Sequence, residues 1–342
     1  AYTWTHRTDR IEAETLHTLA ASPFNKMRMA VLPQDHGSEH MPPPRFPFEG
    51  TPPRDWDTNR FNPEFFRHLE RRVSQLQELG IECDLILFHP YGKTWNFHEM
   101  DADTDDRYVR YVIARLAAYR NIWWSLANEY DFIRSKNESD WDRLFQVVME
   151  ADPYDHLRSI HNGNRIYNHT LPWVTHVSMQ NGPAVEDAGR AELLRDVYRK
   201  PVIIDEARYE GNFMRWGNLS AEEMVHRIWS GTVAGIYVGH GEYFIDPNQV
   251  TWLGSGGTLK GESPARVEFL RQVLKQSPDA GINPIDRGER ADVGGQPGEY
   301  YLLYFGRKTP TEWTFQLPRY RLTDGMEFAV EVLDTWNMTV TP

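Results

Sequence analysis

Residues 121–131 read NIWWSLANEYD, an apolar and aromatic run that closes on the polar pair Asn128-Glu129. An apolar stretch without alternation is a strand covered on both faces, the pattern of a parallel sheet wrapped by helices. Residues 200–211, KPVIIDEARYEG, repeat it, with Val202, Ile203 and Ile204 running into Asp205 and Glu206. In α/β barrels the C-terminal ends of the strands converge on one mouth, so carboxylates that end two such strands meet although they lie far apart in sequence.

Outward from these two runs, short apolar segments alternate with amphipathic ones. The strand candidates are Tyr2–Trp4, Lys26–Val31, Cys83–Phe88, Ile122–Ala127, Leu157–Ile160, Val174–Ser178, Val202–Ile204 and Gly235–Val238. Helices are expected over Pro63–Leu79, Asp105–Tyr119, Asp140–Glu150, Ala191–Tyr198 and Ala221–Thr232, the last opened by a capping box of Ser220 and Glu223. The alternation predicts an α/β fold, a (β/α)8 TIM barrel over residues 1–278. Beyond Leu274 the pattern changes to EYYLLYFGRK, TEWTFQLP and EFAVEVLDTW, strands separated by Pro, Gly and Asp turns. Residues 279–342 are therefore expected to form a small antiparallel, sandwich-like β domain. The loop from Leu32 to Asn62 is longer than most connections and rich in Pro, His and aromatic residues, as a binding loop or a solvated insertion would be.

Composition narrows the partners. Lys and Arg number 37 against 49 Asp and Glu, a net charge of −12, which argues against a surface that tracks nucleic acid phosphates. No stretch has the length of a membrane span, and AYTWTHRTDR lacks the charged and apolar regions of a signal peptide, so no membrane partner is expected. A soluble chain follows, cytoplasmic in the first instance, or secreted or periplasmic if a signal peptide has been removed. Cys83 is the single cysteine and falls within an apolar strand, a small buried filler. The Gly-rich stretches VGGQPGEY and WLGSGGTLKGES lack the strand-to-helix context of a phosphate loop, and no nucleotide or other cofactor is implied. His36, Glu39 and His40 have a superficial zinc-ligand spacing, but the following prolines break any helix that would bring them to one face, so no metal is expected. No G-x-S-x-G elbow supports an esterase.

Two carboxylates at strand ends suit glycoside hydrolysis. Retaining enzymes place them about 5–5.5 Å apart, one to attack the anomeric carbon and one to protonate the departing oxygen. On the motifs "NE" at strand four and "DE" at strand seven, the chain resembles the clan A glycoside hydrolases, the retaining superfamily of the family 5 cellulases and mannanases. The wider set PFNKMRM, DLILFHPYG, WWSLANEYD, LRSIHN, PVIIDE and IYVGHGE is similar to a bacterial group of cellulase-like and apiosidase-like barrels with a C-terminal β domain. The resemblance implies that Glu129 is the acid/base, Glu206 the nucleophile and Asn128 a contact to the sugar 2-hydroxyl. It also matches Arg28 to an arginine that keeps the nucleophile ionised, with a salt bridge between strand ends as the structural alternative.

Position at strand ends adds His89, His161, Asn162, Gln180, His240 and Glu242, with His6 and Trp4 after the first strand, as residues that line the mouth and bind substrate. Where many clan members have a Tyr after strand six, THVSMQNG offers His176 and Gln180. The sugar platform that others build from a Trp after strand eight falls here to Trp95, Trp216 or Trp252, and Tyr209 or Tyr243 can stand in for the missing Tyr. Burial and the neighbouring charge are expected to raise the pKa of Glu129, while Asp205 points away from the nucleophile as a structural residue. The reading is a retaining hydrolase acting on the end of a plant or microbial oligosaccharide. A transglycosylase, a noncatalytic carbohydrate-binding protein and a scaffold built around the β domain remain as alternatives.

Overall fold

The computed structural model describes residues 2–34, 42–245, 250–279, 281–285, 292–314, 317 and 321–342. The zinc-like triad His36, Glu39 and His40 lies outside them. Two compact units emerge, residues 1–180 with 245–259, and residues 181–244 with 260–342.

The first unit opens with a 3-10 turn, Trp4–His6, where a strand was expected. Tyr2 makes only isolated backbone bonds, to Leu253 and Ala30, and no ladder forms. Helix α1 (Asp9–Ala20) follows, then β1 (Lys26–Ala30). The long connection carries a hairpin of β2 (Phe48–Thr51) and β3 (Asp55–Phe61). Gly50 is obligatory there, because its φ is +134° and a Cβ would sit 2.2 Å from the Asp55 carbonyl. Helix α2 (Pro63–Glu78) is started by Asn62, which accepts from the Glu64 N–H at 3.0 Å, with Pro63 in the first turn. After β4 (Glu82–Phe88), Asp101 caps α3 (Ala102–Leu116). After β5 (Ile122–Ala127), Asn137 and Asp140 form a capping box on α4 (Glu138–Ala151). The unit continues through β6 (Arg158–Ser159) to β7 (Val177–Gln180), which begins three residues later than the sequence pattern indicated.

Strands β1, β4, β5 and β6 form one sheet in that order, all parallel. Both faces of β4 and β5 are buried, which explains their unbroken apolar sequences. Trp4, Met29, Leu87, Phe88, Trp124 and Phe145 belong to the core that this sheet shares with its helices, and Cys83 is buried among them.

In the second unit, α5 (Ala188–Tyr198) precedes β8 (Val202–Glu206), β9 (Glu210–Gly211), α6 (Ala221–Val233), β10 (Tyr237–Val238) and β11 (Glu242–Tyr243). The short α7 (Trp252–Ser255) belongs with the first unit, and α8 (Ser263–Leu274) with the second. Strand β8 pairs in parallel with β10, and Gly239 permits the close approach, since a Cβ there would meet the Asp205 carbonyl at 2.5 Å. Ser220 caps α6 through the Glu223 N–H at 3.2 Å, the N-cap half of the capping box expected from the sequence. Strands β12 (Asn283–Pro284), β13 (Asp292–Gln296) and β14 (Tyr300–Tyr304) pair antiparallel, as do β15 (Val332–Asp334) and β16 (Thr339–Thr341). Leu302 and Tyr304 of β14 share a core with Trp229 of α6 and Phe269 of α8. Parallel strands covered by helices, followed by antiparallel pairs, are thus the architecture of the described residues.

Candidate active site

Strand β5 ends at Ala127, and the chain turns at Glu129, whose φ of 46° and ψ of 54° are left-handed and rare for a residue with a side chain. The turn is held from both sides: the Asn128 N–H donates to the Phe88 carbonyl at 2.9 Å and the Tyr130 N–H to the His161 carbonyl at 3.0 Å. Adjacent side chains on a strand point to opposite faces, and the left-handed step cancels that alternation, so Asn128 and Glu129 reach the same partner. The partner is Tyr91, three residues past the end of β4. Its hydroxyl donates to Oε2 of Glu129 and accepts from Nδ2 of Asn128 at 3.1 Å. Oε1 of Glu129 accepts from Nε2 of Gln180 at 3.1 Å. Glu129 is half-buried.

Several of the residues that strand-end position selected have defined partners. Nδ1 of His89 accepts from the Tyr91 N–H at 3.2 Å, which leaves its Nε2 to donate to the Leu32 carbonyl at 2.9 Å. Asn162 accepts from the Gln180 N–H at 3.2 Å and donates to the Gly163 carbonyl at 3.0 Å. His161 is fully buried at the end of β6. His6 is buried beside Phe65, and burial, with the positive fields of Arg7, His89 and His68, lowers its pKa to about 3, so it is a neutral imidazole. Arg28 forms an ion pair with Asp84, its register partner on β4, with Nε to Oδ2 at 3.4 Å, the salt bridge between neighbouring strands named as its structural alternative.

The aromatic candidates are placed differently. Trp4 has no exposed surface and is a core residue. Trp95 is buried against Phe46, with ring centroids 4.8 Å apart, and its carbonyl accepts from Trp56 of the hairpin. Neither offers an open ring face for a sugar. A cavity of about 370 Å³ opens instead on the segment that follows Glu129, lined by Tyr130, Phe132, Arg134, Trp141, Asn164 and Arg165 among others.

In the second unit, Glu206 ends β8, buried like Asp205 before it. His240 and Glu242 were expected to line a mouth, and the structure commits them otherwise. Glu242 accepts from the N–H groups of Lys260 at 2.6 Å and Gly261 at 2.8 Å. Beside it, Glu210 accepts from the N–H groups of Glu262 at 2.8 Å and Ser263 at 3.2 Å and from the Ser263 hydroxyl at 2.5 Å, while Nε2 of His240 meets that hydroxyl at 3.0 Å. Burial pushes Glu242 up to about 7, against the pull of its two backbone donors, and lowers His240 to about 3. Ligand atoms of Glu210, His240 and Glu242 lie within 4.8 Å of one another, the donor set a cation would use. The carboxylates are already engaged by the backbone, however, and the arrangement is a clamp on the segment that leads into α8. Past β8, Phe213 stacks on Tyr243 with centroids 4.4 Å apart, and Met214 is 81% exposed.

Sequence reading missed Tyr91. The available signal was the string HPYG directly after a buried strand, a turn that projects the ring of its third residue over the strand ends.

Comparison with known proteins identifies the family. The family model "Apiosidase-like, catalytic domain" matches residues 1–243, and a second, a domain of unknown function (DUF5605), matches residues 290–342. A crystal structure from Bacteroides vulgatus, assigned provisionally as a glycoside hydrolase, is 41% identical with a TM-score of 0.93 and covers 100% of this chain and 70% of that one. A family 5 glycoside hydrolase from the same organism has a TM-score of 0.66 at 18% identity, covering 89% of this chain and 74% of that one. An endo-1,4-β-D-mannanase from Thermotoga petrophila has a TM-score of 0.52 at 14% identity, with 80% and 98% covered. The latter two bear on the fold alone. No curated protein matches by sequence. No described helix is long and apolar enough to cross a membrane. From the catalytic-domain match over most of its length and its 41% identical relative, the chain belongs to the apiosidase-like catalytic-domain family and is a glycoside hydrolase.

Proposed function

We propose that the chain cleaves a terminal sugar from an oligosaccharide with net retention, Glu206 acting as nucleophile and Glu129 as acid/base. The observation that carries this is the placement of Glu129 at a strand end, in a left-handed turn, with its carboxylate held by side chains that can exchange partners. Glu206 attacks the anomeric carbon as the glycosidic bond breaks, and the departing oxygen takes the proton of Glu129. Glu129, now a base, removes a proton from water, which attacks the glycosyl–Glu206 ester and releases the sugar. Asn128, adjacent to the acid and facing the same way, is placed to bind the 2-hydroxyl, where hydrogen bonds strengthen in the transition state. The cavity that opens after Glu129 supports room for the leaving group. The same reading closes the parallel strands into an eight-stranded barrel over residues 1–278 and treats residues 279–342 as a β domain that buttresses it.

The test is a panel of α- and β-aryl glycosides, pyranosides and furanosides, with the wild type, Glu206→Ala and Glu129→Ala, each with and without azide. Cleavage of one glycoside, lost in both variants and rescued by azide with opposite product anomers, is the expected result. Equal activity in wild type and either variant would overturn the assignment. A folded wild type silent on every glycoside would favour a carbohydrate-binding protein.

A further inference from the structure

We infer that Tyr91 is a positioning residue that keeps Glu129 ionised and aimed in the resting enzyme, so that a tyrosine hydroxyl sets the alkaline limit of activity. The inference rests on the reading of Glu129 as acid/base. A phenol has one proton and two lone pairs. Here the proton goes to Oε2 of Glu129 and one lone pair takes Nδ2 of Asn128, while Gln180 supplies the other carboxylate oxygen. Donors to both oxygens favour the charged form of a carboxyl group, and Glu129, half-buried, faces less of the burial that outweighs such donors at Glu242. To act as an acid Glu129 must carry a proton, and a proton on Oε2 requires Tyr91 to turn its own O–H away. Each turnover therefore opens and remakes the Tyr91–Glu129 bond.

The hydroxyl is delivered by a fixed turn. The Tyr91 N–H donates to His89, the rings of His89 and Tyr91 stack with centroids 5.7 Å apart, and the Gly92 carbonyl accepts from Trp95 and Asn96. A Cβ on Gly92 would press the Pro33 carbonyl at 3.0 Å. Titratable and charged groups on the described elements that hold Glu129 include Tyr91 and His89 from the turn after β4, His161 at the end of β6, Asp131 on its own turn and, in the proposed mechanism, Glu206. The Asp131 carboxylate is engaged by the N–H groups of Gly163, Asn164 and Arg165, and β7 contributes the neutral Gln180. Removing the Tyr91 hydroxyl therefore takes a hydrogen-bond donor from the Glu129 carboxylate while leaving every formal charge around it in place.

The experiment is a carbon-13 NMR titration of protein labelled at the glutamate carboxyl carbons, with the Glu129 resonance assigned through Glu129→Gln. Tyr91→Phe is expected to raise the Glu129 midpoint by about one pH unit. A 3,5-difluorotyrosine placed at position 91, a stronger donor of nearly the same shape, is expected to lower it, which keeps the test open if the Phe variant folds poorly. Midpoints that stay in place in both proteins would overturn the inference. The alkaline limb of kcat/KM on a poor-leaving-group glycoside should move with the midpoint. A midpoint that moves while the limb does not would uphold the role of Tyr91 and sink the assignment of Glu129 as the acid.

Discussion

Glu129, beyond β5, takes its hydrogen bonds from the side chains of Tyr91 and Gln180, whereas Glu210 and Glu242, on β9 and β11, take theirs largely from the backbone of residues 260–263. All three are glutamates on or just past parallel strands, so residue type and position barely separate them. Their partners do. A side-chain donor can rotate away and let a carboxylate exchange a proton with substrate, but an N–H in a fixed turn cannot, and a carboxylate bound to several of them is a structural tie.

The sharpest test of this contrast sets activity against stability. Glu129→Gln and Glu206→Gln are each expected to lower kcat/KM by at least about 1000-fold with little change in melting temperature. Glu210→Ala should do the reverse, because it strips a partner from the buried N–H and hydroxyl of Ser263 and from the part-buried N–H of Glu262. A loss of about 3 kcal/mol in urea unfolding, with kcat per folded molecule preserved, is expected. If Glu210→Ala abolished turnover in folded protein, the clamp would be part of the chemistry and the contrast would fail.

A smaller effect, with a defined sign, comes from pH. Glu242 titrates at about 7 in the fold against its ordinary 4.5, so it is raised, and its stabilising contribution is full below about 4.5. That contribution falls as pH rises from there through 7, as ionisation places a second charge beside Glu210. The melting temperature should therefore decline across this window in the wild type. Glu242→Gln, which cannot ionise, should flatten the decline, although one of its N–H partners then faces an amide N–H and the variant starts from a lower value. A slope unchanged by the substitution would mean that Glu242 does not titrate in this range.

How far these roles were legible in the sequence follows from what each depends on. Strands β4, β5 and β8 were plain because both faces are buried, which leaves an unbroken apolar run. Tyr2–Trp4 looked the same over three residues, too short to separate a strand from a buried turn, and it is a 3-10 turn. The hairpin of β2 and β3 escaped because DWDTNRF is polar and mostly exposed. Helix α1 went unread because DRIEAETLHTLA shows only a weak apolar face. Glu129 could be chosen from its strand end, but its tie to Tyr91 depends on a left-handed φ, which no residue pattern announces. The ties of Glu242 were illegible for a related reason: its partners are main-chain N–H groups of a distant loop, and every residue but proline carries one.

The smallest effect bears on the caps, where the two units can be compared on a feature visible in both sequence and structure. Asn137 opens α4, the helix that follows the Glu129 turn, and both halves of its capping box form; Ser220 opens α6 through one hydrogen bond to the Glu223 N–H at 3.2 Å. Ser220→Ala should cost about 1 kcal/mol, and Asn137→Ala somewhat more, since its Oδ1 accepts from both the N–H and the hydroxyl of Ser139. The effects should part in function. Asn137 lines the cavity beyond Glu129, so its loss should also raise KM for a substrate with a bulky leaving group, while Ser220→Ala leaves KM alone. Matching KM values in the two variants would mean that the cavity takes no part in binding the leaving group, and the case for Glu129 would then rest on its hydrogen bonds alone.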